Sequence, residues 1–194
     1  MIIEKGIAAM TNPTQSFALK SHIDLLRKIE YEVAQLEKEA LRLQAGYICI
    51  NLAISLWHMA DWTWNSLDDA DKVLASDNKG IDDAAFRAFK SILRRNPDIA
   101  ACADIANSSK HITAAPNGMV KLNLGSHDVS SEVTAMHTTS IAGIGDYTRY
   151  GPDAWDYLIY IDGERHRAIH VFQRARTFWR TTLVKLAAGQ AIGP

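Results

Sequence analysis

The segment 51–65, NLAISLWHMADWTWN, constrains the fold of this chain more than any other stretch. It is rich in Leu, Ile, Ala, Trp and Met, so a helix formed by it should be largely buried. At 100° per residue, an arc of roughly 80° holds Asn51, Ser55, His58, Trp62 and Asn65. Because a buried polar group without a partner costs about 1–3 kcal/mol, we expect this face to meet polar side chains of another element.

A second polar face lies in the segment 104–111, which reads DIANSSKH. As a helix, this segment places Asp104, Asn107, Ser108 and His111 within an arc of roughly 100°. We expect the two faces to meet inside a helical bundle, where His–Asp pairs and Asn amides satisfy one another. The predicted catalytic group, called the interior polar site below, comprises His58, Asp61, Asp104, Asn107, Lys110 and His111.

Apolar residues recur at three- and four-residue steps through most of the chain, which predicts a mainly α fold. The predicted helices cover about 17–44, 47–67, 82–95, 97–111 and 170–188. Gly46 marks a kink or a turn between the first two helices. Ser21 to Asp24 resembles a capping box, so the first helix has a second candidate start there. Asn96-Pro97 is typical of an N-cap followed by the first helical residue.

A β insertion is predicted over about 117–168. It begins with alternating apolar and polar residues, and a second strand is predicted around 138–144. Asp162-Gly163, between two alternating runs, predicts a hairpin with a type I′ turn. The expected architecture is a four- to five-helix bundle with a small antiparallel β-sheet or hairpin inserted before the C-terminal helix.

Length and composition fit a single domain over residues 1–194. Hydrophobic residues make up 47% of the chain and charged residues 22%; the net charge is −1, which gives no global electrostatic signature for nucleic acid. Cys49 and Cys102 lack CxxC spacing and fit small core residues in a reducing compartment. No apolar run reaches the roughly 18 residues that a spanning helix needs, so we expect a cytoplasmic protein.

The sequence NSSKH at 107–111 ends a helix that follows a Trp- and His-bearing helix, and in this it resembles the HEPN-type helical bundles. The similarity covers the helices between residues 17 and 111. It implies a metal-independent ribonuclease, in which an Arg a few residues before a His on one helix acts on the RNA 2′-hydroxyl and the scissile phosphate. Residues 103–106 read ADIA, so no Arg stands at that spacing before His111.

For such an enzyme, the resemblance implies that His111 is the acid/base group and that Asp104 or Asn107 orients it. Lys110 or an arginine of the hairpin would bind the phosphate. RNA or a nucleotide is then the expected partner, and no cofactor is predicted.

Two further interpretations of the interior polar site remain open. In the first, the buried polar network is structural, and the chain is a non-enzymatic interaction module that binds a protein partner or forms a homodimer. In the second, two His and two Asp from the facing helices bind a divalent metal ion in the bundle. The ligands of that metal would be His58, Asp61, Asp104 and His111.

The basic cluster of the chain lies in the predicted hairpin and the start of the last helix. Arg165, Arg167 and His170 are candidate phosphate-binding residues, with Tyr160 or Trp155 available to stack on a base. Trp62 is a further candidate binding residue because it lies on the polar face of the central helix. The alternative is ordinary surface charge, which would be neutralised by the carboxylates of Asp156, Asp162 and Glu164.

Overall fold

The computed structural model describes residues 19–39, 42–108, 120–122, 129–135 and 155–192. The helices in this part of the chain are α1 (His22–Leu36), α2 (Arg42–Ser66), α3 (Asp69–Ala75), α4 (Asp83–Leu93), α5 (Pro97–Ser108) and α6 (Ala168–Ala187). The strands are β1 (Val120–Leu122), β2 (Val129–Ala135), β3 (Trp155–Ile161) and β4 (Glu164–Arg167). The predicted class, mainly α with a small antiparallel sheet before the C-terminal helix, is confirmed.

The helix starts follow the capping signals of the sequence. Ser21 caps α1: its Oγ accepts from the backbone N–H of Asp24 at 3.2 Å and donates to the Asp24 carboxylate at 2.9 Å. The Asn96 side chain likewise accepts from the backbone N–H groups of Asp98 and Ile99 at the start of α5. Because these bonds satisfy N–H groups that have no partner within the helix, both predicted caps fix where their helices begin.

The predicted boundary between the first two helices is wrong. We expected one helix over 17–44 and a break at Gly46. Instead α1 ends at Leu36, α2 begins at Arg42, and Gly46 lies inside α2. A β-carbon on Gly46 would lie 2.5 Å from the Tyr157 hydroxyl oxygen, so glycine is needed here for the close approach of β3 rather than for a turn.

The sheet is antiparallel throughout, with the strand order β1-β2-β3-β4. β3 and β4 form the predicted hairpin, and its turn residues Asp162 and Gly163 have φ of 52° and 83°, as a type I′ turn requires. In this register Tyr160 is the direct neighbour of Arg165. The strand predicted around 138–144 lies outside the described residues.

The core forms where α2 packs against α1, α5 and α6. Trp179 of α6 is fully buried, and its indole N–H donates to the backbone carbonyl of Leu56 at 2.9 Å. Phe86 and Phe89 fix α4 against Trp64 of α2, with ring centroids 5.4 and 5.5 Å from the indole. Among the described residues, no helix combines the length and the apolar character needed to cross a membrane.

Candidate functional site

The polar face predicted on α2 is mostly at the surface. Asn51, His58 and Asn65 are exposed, Trp62 is half-buried against the core, and of the five positions Ser55 alone is buried. The buried residues of α2 centre on Leu56, roughly 140° around the helix from the centre of the polar arc. The expectation that this face is interior is therefore wrong, because the packed side of α2 lies elsewhere on the helix and three of the five residues meet solvent.

Ser55, the buried member of that face, meets α1 rather than α5. The Lys28 ammonium group donates to the Ser55 hydroxyl at 2.8 Å and to one carboxylate oxygen of Glu32 at 2.7 Å. The hydroxyl thus accepts from a cation that is already in an ion pair, and a charged ammonium cannot serve as the base that would activate a serine nucleophile. This contact joins α1 to α2.

Asp61 finds its partner on α4. The Lys90 ammonium group donates to an Asp61 carboxylate oxygen at 2.9 Å. The same nitrogen lies 4.2 Å from the centroid of the Phe86 ring and 5.4 Å from that of Trp57, so it also makes cation–π contacts. One lysine therefore links a carboxylate and an aromatic ring of α2 to the apolar face of α4.

Asp104 is completely buried on α5, as the sequence predicts, but its partner is an arginine. Arg94, at the C-terminal end of α4, donates from Nη2 to Oδ1 of Asp104 at 2.6 Å. The Arg94 guanidinium also lies 5.8 Å from the Trp57 ring centroid. The second carboxylate oxygen of Asp104 is buried and accepts no hydrogen bond. The pair with Arg94 is thus the main compensation for a charge that burial makes costly.

The structure thus connects Asp61 and Asp104 indirectly, through Lys90, Trp57 and Arg94. Asn107 is half-buried at the end of α5. Lys110 and His111, the remaining members of the interior polar site, lie outside the described residues. Lys90 and Arg94 were not among the predicted site residues. Their spacing was a usable signal: Lys90 and Arg94 lie one turn apart, and so on one helix face, in the part of the chain between Asp61 and Asp104.

The proposed metal ligands do not assemble in the described part of the chain. No three His, Cys, Asp or Glu side chains come together there as a metal ion would require. His58 is exposed, and Asp61 and Asp104 each bind a cationic side chain. An Asp that already neutralises a lysine or an arginine would have to lose that partner before it could bind a metal ion. The fourth ligand, His111, is not among the described residues.

The predicted binding residues of the C-terminal part lie where β4 runs directly into α6. Arg165 and His170 are exposed, and Arg167 is half-buried. His170 and Arg174 are four residues apart, so they share one face of α6. We call the group Arg165, His170 and Arg174 the basic surface. Trp62, the fourth predicted binding residue, is on α2 and packs against the core instead.

Arg174 has the best-defined contact of the basic surface. Its Nε and Nη2 donate to the two carboxylate oxygens of Asp98 at 2.9 and 2.6 Å, respectively. These hydrogen bonds, with the negative charge of Asp98, raise the pKa of the Arg174 guanidinium against the opposing effect of its partial burial. The carboxylate that neutralises Arg174 therefore belongs to α5. The carboxylates predicted for this role were those of Asp156, Asp162 and Glu164.

No family model, curated protein or solved structure matches this chain. The resemblance to HEPN-type bundles therefore stays a prediction.

Proposed function

We propose that this chain binds RNA, or the phosphates of a nucleotide, on the basic surface of β4 and α6. One observation carries the proposal: Arg165, His170 and Arg174 are all exposed and lie within ten residues of one another, where β4 runs into α6. The segment 162–176 contains four arginines and two carboxylate residues, a formal charge of +2 in a chain whose net charge is −1. Lys and Arg that contact phosphates supply the affinity of most RNA-binding surfaces, through electrostatic attraction and counterion release.

The contrast with the interior polar site supports the same choice. Lys90 and Arg94 each donate to a carboxylate, and the Arg94 side chain is only 19% exposed. Arg174 also pairs with a carboxylate, but its side chain is 47% exposed, so more of its N–H groups are accessible to a phosphate in solution. We therefore assign the ion pairs of Lys90 and Arg94 a structural role, which is to hold α4 on α2 and α5.

The test is the salt dependence of RNA binding, measured by fluorescence anisotropy with a labelled single-stranded oligouridine. We expect the wild-type protein to bind, with affinity falling as potassium chloride is raised. The double variant Arg165→Gln/Arg174→Gln should bind more weakly. Its slope of log K against log salt should be smaller by roughly 0.7 for each phosphate contact that is lost.

Arg87→Gln provides the matched control. Arg87 is exposed on α4, so this variant removes one surface charge away from the basic surface. It should leave both the affinity and the slope close to wild type. Equal losses in Arg87→Gln and in a single Arg165→Gln variant would mean that only the net charge matters and would refute a defined binding surface.

Cleavage of RNA is a separate proposal, which rests on the HEPN-type resemblance and on His111 as acid/base group. Incubation of labelled RNA with the wild-type protein in the presence of a chelator tests it, with His111→Ala as the inactive variant. A cytoplasmic location is part of the proposal, because Cys49 and Cys102 are both buried and neither forms a disulfide, as expected in a reducing compartment.

A further inference from the structure

The pair formed by Arg174 and Asp98 differs from an ordinary surface ion pair. The Asp98 side chain is 8% exposed, whereas that of Arg174 is 47% exposed. Asp98 lies in the first turn of α5, where the helix dipole favours a carboxylate, and its own backbone N–H donates to the cap residue Asn96. The anion is therefore fixed in the protein, and it holds one edge of a guanidinium whose side chain is still about half exposed.

A second arginine of α6 provides the comparison. Arg180 approaches Glu30 of α1 through a single contact of 3.8 Å, and the two side chains are 63% and 39% exposed. A pair of this kind contributes little and leaves the arginine free to change rotamer. Arg174, in contrast, has two parallel hydrogen bonds, the geometry that fixes the plane of a guanidinium.

We infer that Asp98 is a positioning residue that holds the Arg174 guanidinium in a fixed orientation for an RNA phosphate. The inference rests on the proposed RNA binding. An arginine has five N–H donors, and Asp98 occupies two of them, so three remain for a phosphate. Because the Arg174 side chain is already ordered in the free protein, RNA binding avoids the entropic cost of restricting its rotamers.

This inference predicts that Asp98→Asn weakens RNA binding, whereas simple electrostatics predicts that it strengthens RNA binding. If Asp98 only neutralised Arg174, its removal would leave the surface more positive, and RNA would bind more tightly. If Asp98 positions Arg174, the loss of the fixed orientation should weaken binding by about 2- to 12-fold, the factor expected for one newly immobilised side chain.

The experiment measures RNA anisotropy at fixed salt for wild type, Asp98→Asn, Arg174→Lys and the control Arg180→Lys, with folding checked by thermal unfolding. Weaker binding is expected for Asp98→Asn and for Arg174→Lys, since lysine keeps the charge but loses the bidentate fork. Arg180→Lys should bind like wild type. Unchanged or tighter binding by a folded Asp98→Asn protein would overturn the inference, even with RNA binding itself intact.

A second measurement addresses the orientation without RNA. In nuclear magnetic resonance spectra of the free protein, the Nε–H group of Arg174 should exchange slowly with water, and that of Arg180 rapidly. The slow exchange should be lost in Asp98→Asn. Equally fast exchange at Arg174 and Arg180 would overturn the inference. A wild-type protein that does not bind RNA at all would instead overturn the proposed function, together with the inference that rests on it.

Discussion

Gly46 of α2 and Tyr157 of β3 pack closely, because the helix has no side chain at the point where the tyrosine hydroxyl meets it. A β-carbon placed on Gly46 would lie 2.5 Å from the Tyr157 oxygen and 3.1 Å from the ring carbon that bears it. This contact brings the sheet directly onto the central helix. A glycine in the middle of a helix costs roughly 1 kcal/mol relative to alanine, and here that cost is offset by the packing of β3.

We expect Gly46→Ala to destabilise the protein by about 1–3 kcal/mol despite the better helix propensity of alanine, because the new methyl group overpacks the interface. Tyr157→Phe removes the atom nearest to that methyl group. The double variant should therefore lose less than the sum of the two single variants. Urea unfolding of all four proteins measures this coupling.

Additive free energies of unfolding in this cycle would contradict the close approach seen here. Tyr157→Phe alone is the necessary control, because it reports the cost of losing the hydroxyl without any change on α2. A Gly46→Ala protein more stable than wild type would mean that β3 can move away from the helix without loss of packing.

The same glycine shows what the sequence could predict and what it could not. A helix cap bonds to residues at most three positions away in the chain, so the caps Ser21 and Asn96 could be predicted from the local sequence. The reason for Gly46 lies more than a hundred residues further along the chain, in β3, and no local pattern carries that information. Local signals therefore predicted the mainly α class and several ends of elements, but placed the α1–α2 boundary incorrectly.

A second prediction concerns the ion pair of Arg94 and Asp104. Arg94→Met should destabilise the protein by about 3 kcal/mol, since it leaves a fully buried carboxylate without its cation. Arg95→Met is the matched control, because Arg95 is the exposed neighbour in the chain and should cost less than about 0.5 kcal/mol. Urea unfolding gives both values.

The double variant Arg94→Met/Asp104→Leu distinguishes a desolvated charge from general loss of packing. An apolar pair of similar volume should recover most of the lost stability, as expected when both members of a buried ion pair are replaced. If the double variant is less stable than Arg94→Met alone, the ion pair is not the origin of the loss.

The candidate site could be predicted only in part, because the partner of a buried polar residue can lie on another helix. Asp104 is buried as expected, because nearly every residue around it on α5 is apolar. Its partner was predicted among the histidines, whereas the cations of α4 fill that role. The arc of polar residues on α2 was interpreted as an interior face, although the apolar residues of the same helix already defined a buried face on nearly the opposite side. Periodicity locates a polar face but does not choose between solvent and a partner helix.

A third prediction concerns Cys102, which is fully buried on α5. Burial, with a smaller contribution from the charge of Asp98, raises the pKa of its thiol, so the reactive thiolate is not formed near neutral pH. In a Cys49→Ala protein, a thiol reagent at pH 8 should label Cys102 only after unfolding in urea. Rapid labelling of the folded protein would show that α5 opens locally or that Cys102 is accessible.

The fourth prediction is a dependence of stability on pH that originates at His22, in the first turn of α1. Burial lowers the pKa of His22 from its ordinary value of 6.5, and the nearby Asp24 opposes this only in part. The ring nitrogen Nδ1 is buried and has no hydrogen-bond partner, so folding favours the neutral imidazole.

Because the pKa is lower in the folded protein, the unfolded chain binds more protons as the pH falls through 6.5. The contribution of His22 is therefore fully present above this pH and is lost as the pH drops towards the folded-state pKa. The free energy of unfolding, from urea titrations between about pH 7.5 and pH 5, should decrease more in wild type than in His22→Gln.

Asp24 does not disturb this comparison, because hydrogen bonds from Ser21 and Lys20 lower the pKa of its carboxyl below 3.8 and keep it ionised over the whole range. Parallel pH profiles for the two proteins would show that His22 can take up a proton without cost in the folded state, and hence that its imidazole is hydrated.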